Sequence, residues 1–143
     1  CDNICPVPRV TVTIITLNES RHIAAAIDSA AWADEILVVD SGSTDDTVAI
    51  ATAKGVRVMS RTWPGYVDQK NYAASVASHD WIFSLDADER VTPALADEVR
   101  QVVASDPVEG AFRGADLLKA IQPHVLASAK LTGTYSLNPA VKA

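Results

Sequence analysis

The sequence predicts an α/β fold, a parallel sheet with helices on both faces. Three observations carry that expectation: short β-branched runs alternate with amphipathic segments through residues 10–104, the runs are nearly continuous in apolarity, and acidic residues collect just after them. The chain has 143 residues, which suits one domain or part of a larger protein. With 48% hydrophobic residues, 6 Gly and 7 Pro, it has material for a core and is not a disordered or collagenous chain.

Residues 10–17, VTVTIITL, read as a strand buried on both faces that ends near Thr16. From Ser20 to Ala33, Ile23, Ala26, Ile27, Ala30 and Ala31 recur at helical spacing, with Arg21, Asp28 and Asp34 outside. Residues 35–40, EILVVD, form a second strand stopped by SGSTDD. Ser43-x-x-Asp46 reads as a capping box, so a second helix is expected from Ser43 to Lys54, with Gly55 as its stop. VRVM at 56–59 follows as a third strand, then the loop SRTWPG and a helical rhythm over 66–78. WIFSL at 81–85 is the fourth strand, and Thr92 and Pro93 open a helix that runs to about Ala104. This alternation implies right-handed crossovers.

The composition then shifts. Residues 1–104 hold 8 basic and 15 acidic residues, whereas 105–143 hold 4 and 3, which divides the chain into an α/β part and a C-terminal segment of weaker patterning. Helices are expected there at Ala115–Ile121, ended by Pro123, and near Val125–Lys130.

Twelve Lys and Arg against 18 Asp and Glu, a net charge of −6 with no basic stripe, argue against a nucleic-acid partner. No apolar run reaches the ~18 residues of a membrane span. The first ten residues lack the order of a secretory signal, so a cytoplasmic protein is expected. Cys1 and Cys5 sit at the terminus, where neither a disulfide nor a metal site is expected, and His22, His79 and His124 lack metal-ligand spacing. Dinucleotide, P-loop and nucleophile-elbow signatures are missing.

The chemistry collects on one edge. Seven of the 18 acids, Glu19, Asp40, Asp45, Asp46, Asp86, Asp88 and Glu89, fall at or just after the C-terminal ends of three strands, the edge where open parallel sheets bind ligands. Crowded carboxylates call for a cation or a donor-rich ligand. In extended chain Asp86 and Asp88 of Asp86-Ala87-Asp88 face one way, and two carboxylates suit Mg2+ or Mn2+ bridging a diphosphate; capping the following turn is their ordinary alternative. Asp40 can accept from a base N–H or ribose hydroxyls, with Gly42 admitting a ligand close to the backbone, against a plain capped turn. Glu19 can accept in the same way or cap a helix. Lys70 and Asn71 are candidates for a phosphate contact and a polar bridge, although a Lys is ordinarily a surface residue. Trp63 and Trp81 read as packing.

Residues 11–19, TVTIITLNE, with VVDSGSTDDT at 38–47 and SLDADE at 84–89, resemble the nucleotide-sugar-binding half of family 2 glycosyltransferases of the Rossmann-like GT-A fold. WPGY at 63–66 and QKNYA at 69–73 resemble the subgroup that builds bacterial lipopolysaccharide core, near its glucosyltransferases. The resemblance covers roughly residues 9–104. It implies that Thr16, Asn18, Glu19, Asp40 and Asp45 hold the nucleoside of a nucleotide-diphosphate sugar, UDP-glucose by the subgroup, and that Lys70 lies near the nucleotide. It implies that Asp86 and Asp88 hold ribose, Mg2+ or Mn2+, and diphosphate. It further implies inverting transfer to a glycan or lipopolysaccharide core acceptor in the cytoplasm, with peripheral association at the inner membrane left open. The catalytic base and the oligomeric state stay unassigned, because Asp106, Glu109 and Asp116 carry no motif and the C-terminal segment does not resemble the family's acceptor half. The chain is therefore expected to bind donor better than it transfers sugar. Two alternatives stand beside this reading: a nucleotide-sugar-binding module without catalysis, and a haloacid-dehalogenase-type phosphatase, against which the motif's place on the fourth strand argues.

Overall fold

Val10–Thr16 forms β1 and is buried along its whole length, as an almost unbroken β-branched run must be when helices cover both of its sides. The computed structural model describes residues 9–104. After β1 come α1 (Ile23–Ser29), β2 (Glu35–Asp40), α2 (Thr47–Ala53), β3 (Arg57–Ser60), α3 (Tyr66–Val76), β4 (Trp81–Asp86) and α4 (Pro93–Ala104). All pairings are parallel and the sheet order is β3-β2-β1-β4. The predicted α/β class is the observed one. The helices expected at Ala115–Ile121 and Val125–Lys130, and the two cysteines, lie outside the described residues.

The chain steps from β1 to β2 to β3 in one direction and then returns over both to place β4 beside β1. Right-handed crossovers put the helix of such a return, α3, on the face opposite α1 and α2. Strand residues divide accordingly, since neighbours along a strand point to opposite faces. Val12, Ile14, Val38, Phe83 and Leu85 pack with α1, α2 and α4, while Ile15, Leu37 and Val39 pack with Ala73 of α3. At the opposite end of the strands Glu35 ties three segments together. Burial opposes its charge, but hydrogen bonds from the Ser78 hydroxyl and N–H and the Thr11 hydroxyl, with Arg57 nearby, hold its pKa below the usual carboxylate value.

Several boundaries differ from expectation, each for a physical reason. α1 is shorter than Ser20–Ala33. At its start the Glu19 carbonyl accepts from both His22 and Ile23 N–H, and at its end i→i−3 bonds at Ala30, Ala31 and Ala33 wind the chain tightly out of the helix. Asp34 therefore lies beyond the helix, just before β2, exposed as expected, and Val10 N–H donates to its carboxylate at 2.8 Å. α2 begins at Thr47, not at Ser43, because Ser43 spends its hydroxyl elsewhere, as described below. α4 begins as the sequence predicts, with Leu95 N–H donating to the Thr92 hydroxyl and Pro93 as the first helical residue.

Candidate functional site

The strand tips end level with one another. Thr16 is in register with Asp40, and Ile15 with Asp86, so β1, β2 and β4 deliver Thr16, Asp40 and Asp86 to one edge. Strand order reverses beside β1, the place where an open parallel sheet leaves a crevice for a ligand. Thr16 is 4% exposed and its hydroxyl has no hydrogen-bond partner. A buried hydroxyl left in that state is costly.

On the β1–β2 side the loops are stitched together. Asp40 is 2% exposed, and its carboxylate accepts from the N–H groups of Gly42 and Ser43 and from the Ser43 hydroxyl. That hydroxyl in turn accepts from Asn18 N–H at 2.8 Å, which is why Ser43 caps no helix. Asn18, at φ 52, turns its side-chain oxygen back to accept from Thr44 N–H at 2.8 Å, a left-handed conformation that Asn tolerates better than most residues. Asp45 accepts from the Thr47 hydroxyl and N–H and from Ser20 N–H, and Glu19 N–H donates to the Thr47 hydroxyl. The Thr47 hydroxyl, working against desolvation and helped by the other donors, lowers the Asp45 pKa to about 2. The Glu19 carboxylate meets the His22 ring at 2.8 Å. Gly42 is required by its φ of 101, for a Cβ built there would touch nothing within 4 Å.

The β4–α3 side is arranged differently. Asp86 closes β4 and the chain turns at once: Glu89 N–H donates to the Asp86 carbonyl at 2.9 Å, and Asp86 N–H donates to the Glu89 carboxylate at 3.0 Å. Asp86-Ala87-Asp88 is thus a turn, and the strand alternation invoked for its two carboxylates stops at Asp86. Ala87 is buried and Asp88 exposed. Lys70, the candidate phosphate contact, does not take the surface position ordinary for a lysine. Lys70 is 8% exposed and its Nζ lies 2.9 Å from Asp86 Oδ1, since an ammonium taken out of water needs an anion beside it. Among the described residues no group of three or more His, Cys, Asp or Glu is placed to hold a metal ion, so no third such residue joins Asp86 and Asp88 in a cage.

Gln69 escaped the sequence reading. It is wholly buried, donates to the Ser41 hydroxyl at 3.1 Å and to the Arg61 carbonyl at 3.3 Å, and accepts from the Arg61 guanidinium at 3.2 Å. It thereby ties α3 to the residues that follow Asp40 and β3. Its place beside Lys70 and Asn71 in QKNYA was the available signal. Trp63 meets Tyr66 edge-on at 4.7 Å between ring centroids, but both rings are exposed, whereas Trp81 lies half-buried against the larger core.

A reversed parallel sheet with its polar residues gathered at the strand tips defines an α/β domain of the Rossmann-like, doubly wound class. Comparison with known proteins narrows this. Residues 11–112 match Glycosyl transferase family 2, and the chain belongs to that family. An uncharacterized glycosyltransferase of Rickettsia conorii is 47% identical over 98 residues, which are 68% of this chain and 35% of that protein. The lipopolysaccharide core biosynthesis glycosyltransferase LpsC of Rhizobium meliloti is 39% identical over 103 residues, covering 68% of this chain and 38% of that one. This chain therefore spans little more than a third of the length of these relatives. Among solved structures, glucosyl-3-phosphoglycerate synthase of Mycobacterium tuberculosis, in complex with Mn2+, uridine-diphosphate and glucosyl-3-phosphoglycerate, superposes with a TM-score of 0.59 at 25% identity, covering 82% of this chain and 52% of that one. Mannosyl-3-phosphoglycerate synthase of Rubrobacter xylanophilus gives 0.60 at 30% identity, covering 74% and 38%. The fold is GT-A, and family membership sets the phosphatase reading aside.

Proposed function

We propose that the protein binds a nucleoside-diphosphate sugar, UDP-glucose in the first instance, and that its family chemistry passes the sugar with inversion to a glycan acceptor of the lipopolysaccharide core type. The observation that carries the proposal is the ion pair of buried Lys70 with half-buried Asp86, set beside the exposed Asp88 and the unpartnered Thr16 hydroxyl at the reversal of strand order. The LpsC relative supports the acceptor class, and the uridine-diphosphate and Mn2+ held by the Mycobacterium tuberculosis synthase support the donor.

In this reading Asp40, Asp45, Asn18 and Glu19 shape the nucleoside end, Thr16 offers its hydroxyl to the ligand, and Lys70 faces the diphosphate. The donor set fits a divalent ion: two carboxylates, Asp86 with Lys70 beside it and the exposed Asp88, suit Mg2+ or Mn2+, which keep other positions for water and phosphate. Asp86 and Asp88 would hold it. When bound, such an ion draws charge from the leaving diphosphate. The expected cytoplasmic location, at the inner face of the inner membrane, belongs to the same proposal; no helix among the described residues is long and apolar enough to cross a membrane.

The 35% share of the Rickettsia relative that the chain spans favours a second reading, donor binding without transfer by these residues alone. Calorimetry with UDP, in Mn2+ and in EDTA, tests the donor site: binding that requires Mn2+ supports it, and no binding in Mn2+ overturns it. Turnover of UDP-glucose on a lipopolysaccharide core acceptor then separates the two readings.

A further inference from the structure

Lys70 raises a question that the donor site alone does not answer. Its ammonium stands 2.9 Å from Asp86 Oδ1, with the lysine side chain 9% and the aspartate side chain 32% exposed. One of the two carboxylates suited to a divalent cation thus already has a cation beside it. A like charge a few ångströms away disfavours a second one at the same carboxylate. Lys70 in turn does not leave Asp86 freely, because a buried ammonium without an anion is strongly disfavoured.

We propose that Lys70 is a stand-in cation at Asp86 that makes metal binding conditional on the diphosphate, an inference that rests on the donor-site reading above. Without a diphosphate, a divalent ion meets one neutralised carboxylate, one exposed carboxylate at Asp88 and an adjacent positive charge. A diphosphate carries enough negative charge to serve as the new partner of Lys70, and Asp86 becomes available to the metal. No bond is made or broken. The result is positive coupling between two ligands, and linkage requires that each raise the affinity of the other by the same factor. Lys70 is a positioning residue in this scheme, setting the order in which the site fills.

The test is a titration of Mn2+ into the full chain with and without saturating UDP, the Mn2+–UDP complex being measured separately in protein-free buffer. The parent chain is expected to bind Mn2+ more tightly with UDP by about 5–150-fold, the usual span of such coupling. In Lys70→Met, whose apolar side chain suits the buried position, Mn2+ alone is expected to bind more tightly than in the parent, by a factor of about 5 or more, with the coupling to UDP largely lost. A lysine that merely supported the fold would give weaker Mn2+ binding when removed, so the direction of the change decides. Lys70→Gln is the second variant, keeping a donor toward Asp86 without the charge. Unchanged or weaker Mn2+ binding in both variants overturns the proposal. If neither variant folds, the parent still decides: coupling greater than the Mn2+–UDP affinity measured in protein-free buffer accounts for upholds it, and coupling no greater than that, or independent binding of Mn2+ and UDP, overturns it while leaving the donor site standing. A parent chain that binds neither overturns both.

Discussion

The two sides of the strand-tip edge use the same residue types for opposite purposes. On the β1–β2 side, Asp40 and Asp45 spend their carboxylates on the chain's own N–H and hydroxyl groups, and the loops at 17–20 and 41–47 lock each other in place. On the β4–α3 side Asp86 carries an ion pair and Asp88 is exposed. Carboxylates at strand ends are thus not one class: some are taken up by the chain's own donors, and others face a cation or the solvent.

Three substitutions break or sharpen that contrast. The largest effect is expected from Asp88→Ala, which should weaken Mn2+-dependent UDP binding by about 2–4 kcal/mol, as for truncation of one partner of a charge pair, while leaving the melting temperature in place. Calorimetry and a thermal melt on the same sample read both quantities, and a lowered melting temperature would put Asp88 among the carboxylates taken up by the chain's own donors. Asp40→Ala should do the reverse. It strips the acceptor from the Gly42 and Ser43 N–H groups, so a stability loss of about 1–3 kcal/mol is expected in a denaturant titration. Full stability with lost nucleoside affinity would make Asp40 a ligand-facing group first. The smallest effect concerns acid. The Asp45 pKa is lowered from 3.8 to about 2, so its contribution to stability is complete above pH 4 and is lost as the pH falls through 2. Denaturation midpoints at pH 4 and pH 2 should converge more in Asp45→Asn than in the parent; equal pH dependence in the two chains would remove Asp45 from the clamp.

The fold was readable because β-branched runs and helical spacing are local signals, and the strand positions stand within a residue or so of the reading. Thr92 and Pro93 announced α4 for the same reason. Ser43 misled because a helix cap and a cross-loop hydrogen bond draw on the same hydroxyl, and its partner Asn18 lies 25 residues away. No window along the chain contains that competition. The burial of Lys70 and Gln69 was hidden by polarity: both are side chains that normally stay in water, and only the return of α3 across the sheet encloses them. The acids of the edge were found by position, whereas the division of labour among them depends on which donors the loops bring within reach.

The unequal faces of the sheet have a consequence for how the molecule breathes. α1, α2 and α4 share one broad apolar cluster, but α3 rests on the small one closed by Ile15, Leu37, Val39 and Ala73. A helix with so little apolar anchorage opens at lower free energy than its neighbours, and its amides trade hydrogen for deuterium sooner. Gln69 and Lys70 ride on that helix, so amide protection along Tyr66–Val76 should respond to ligand occupancy before any other segment of the fold does.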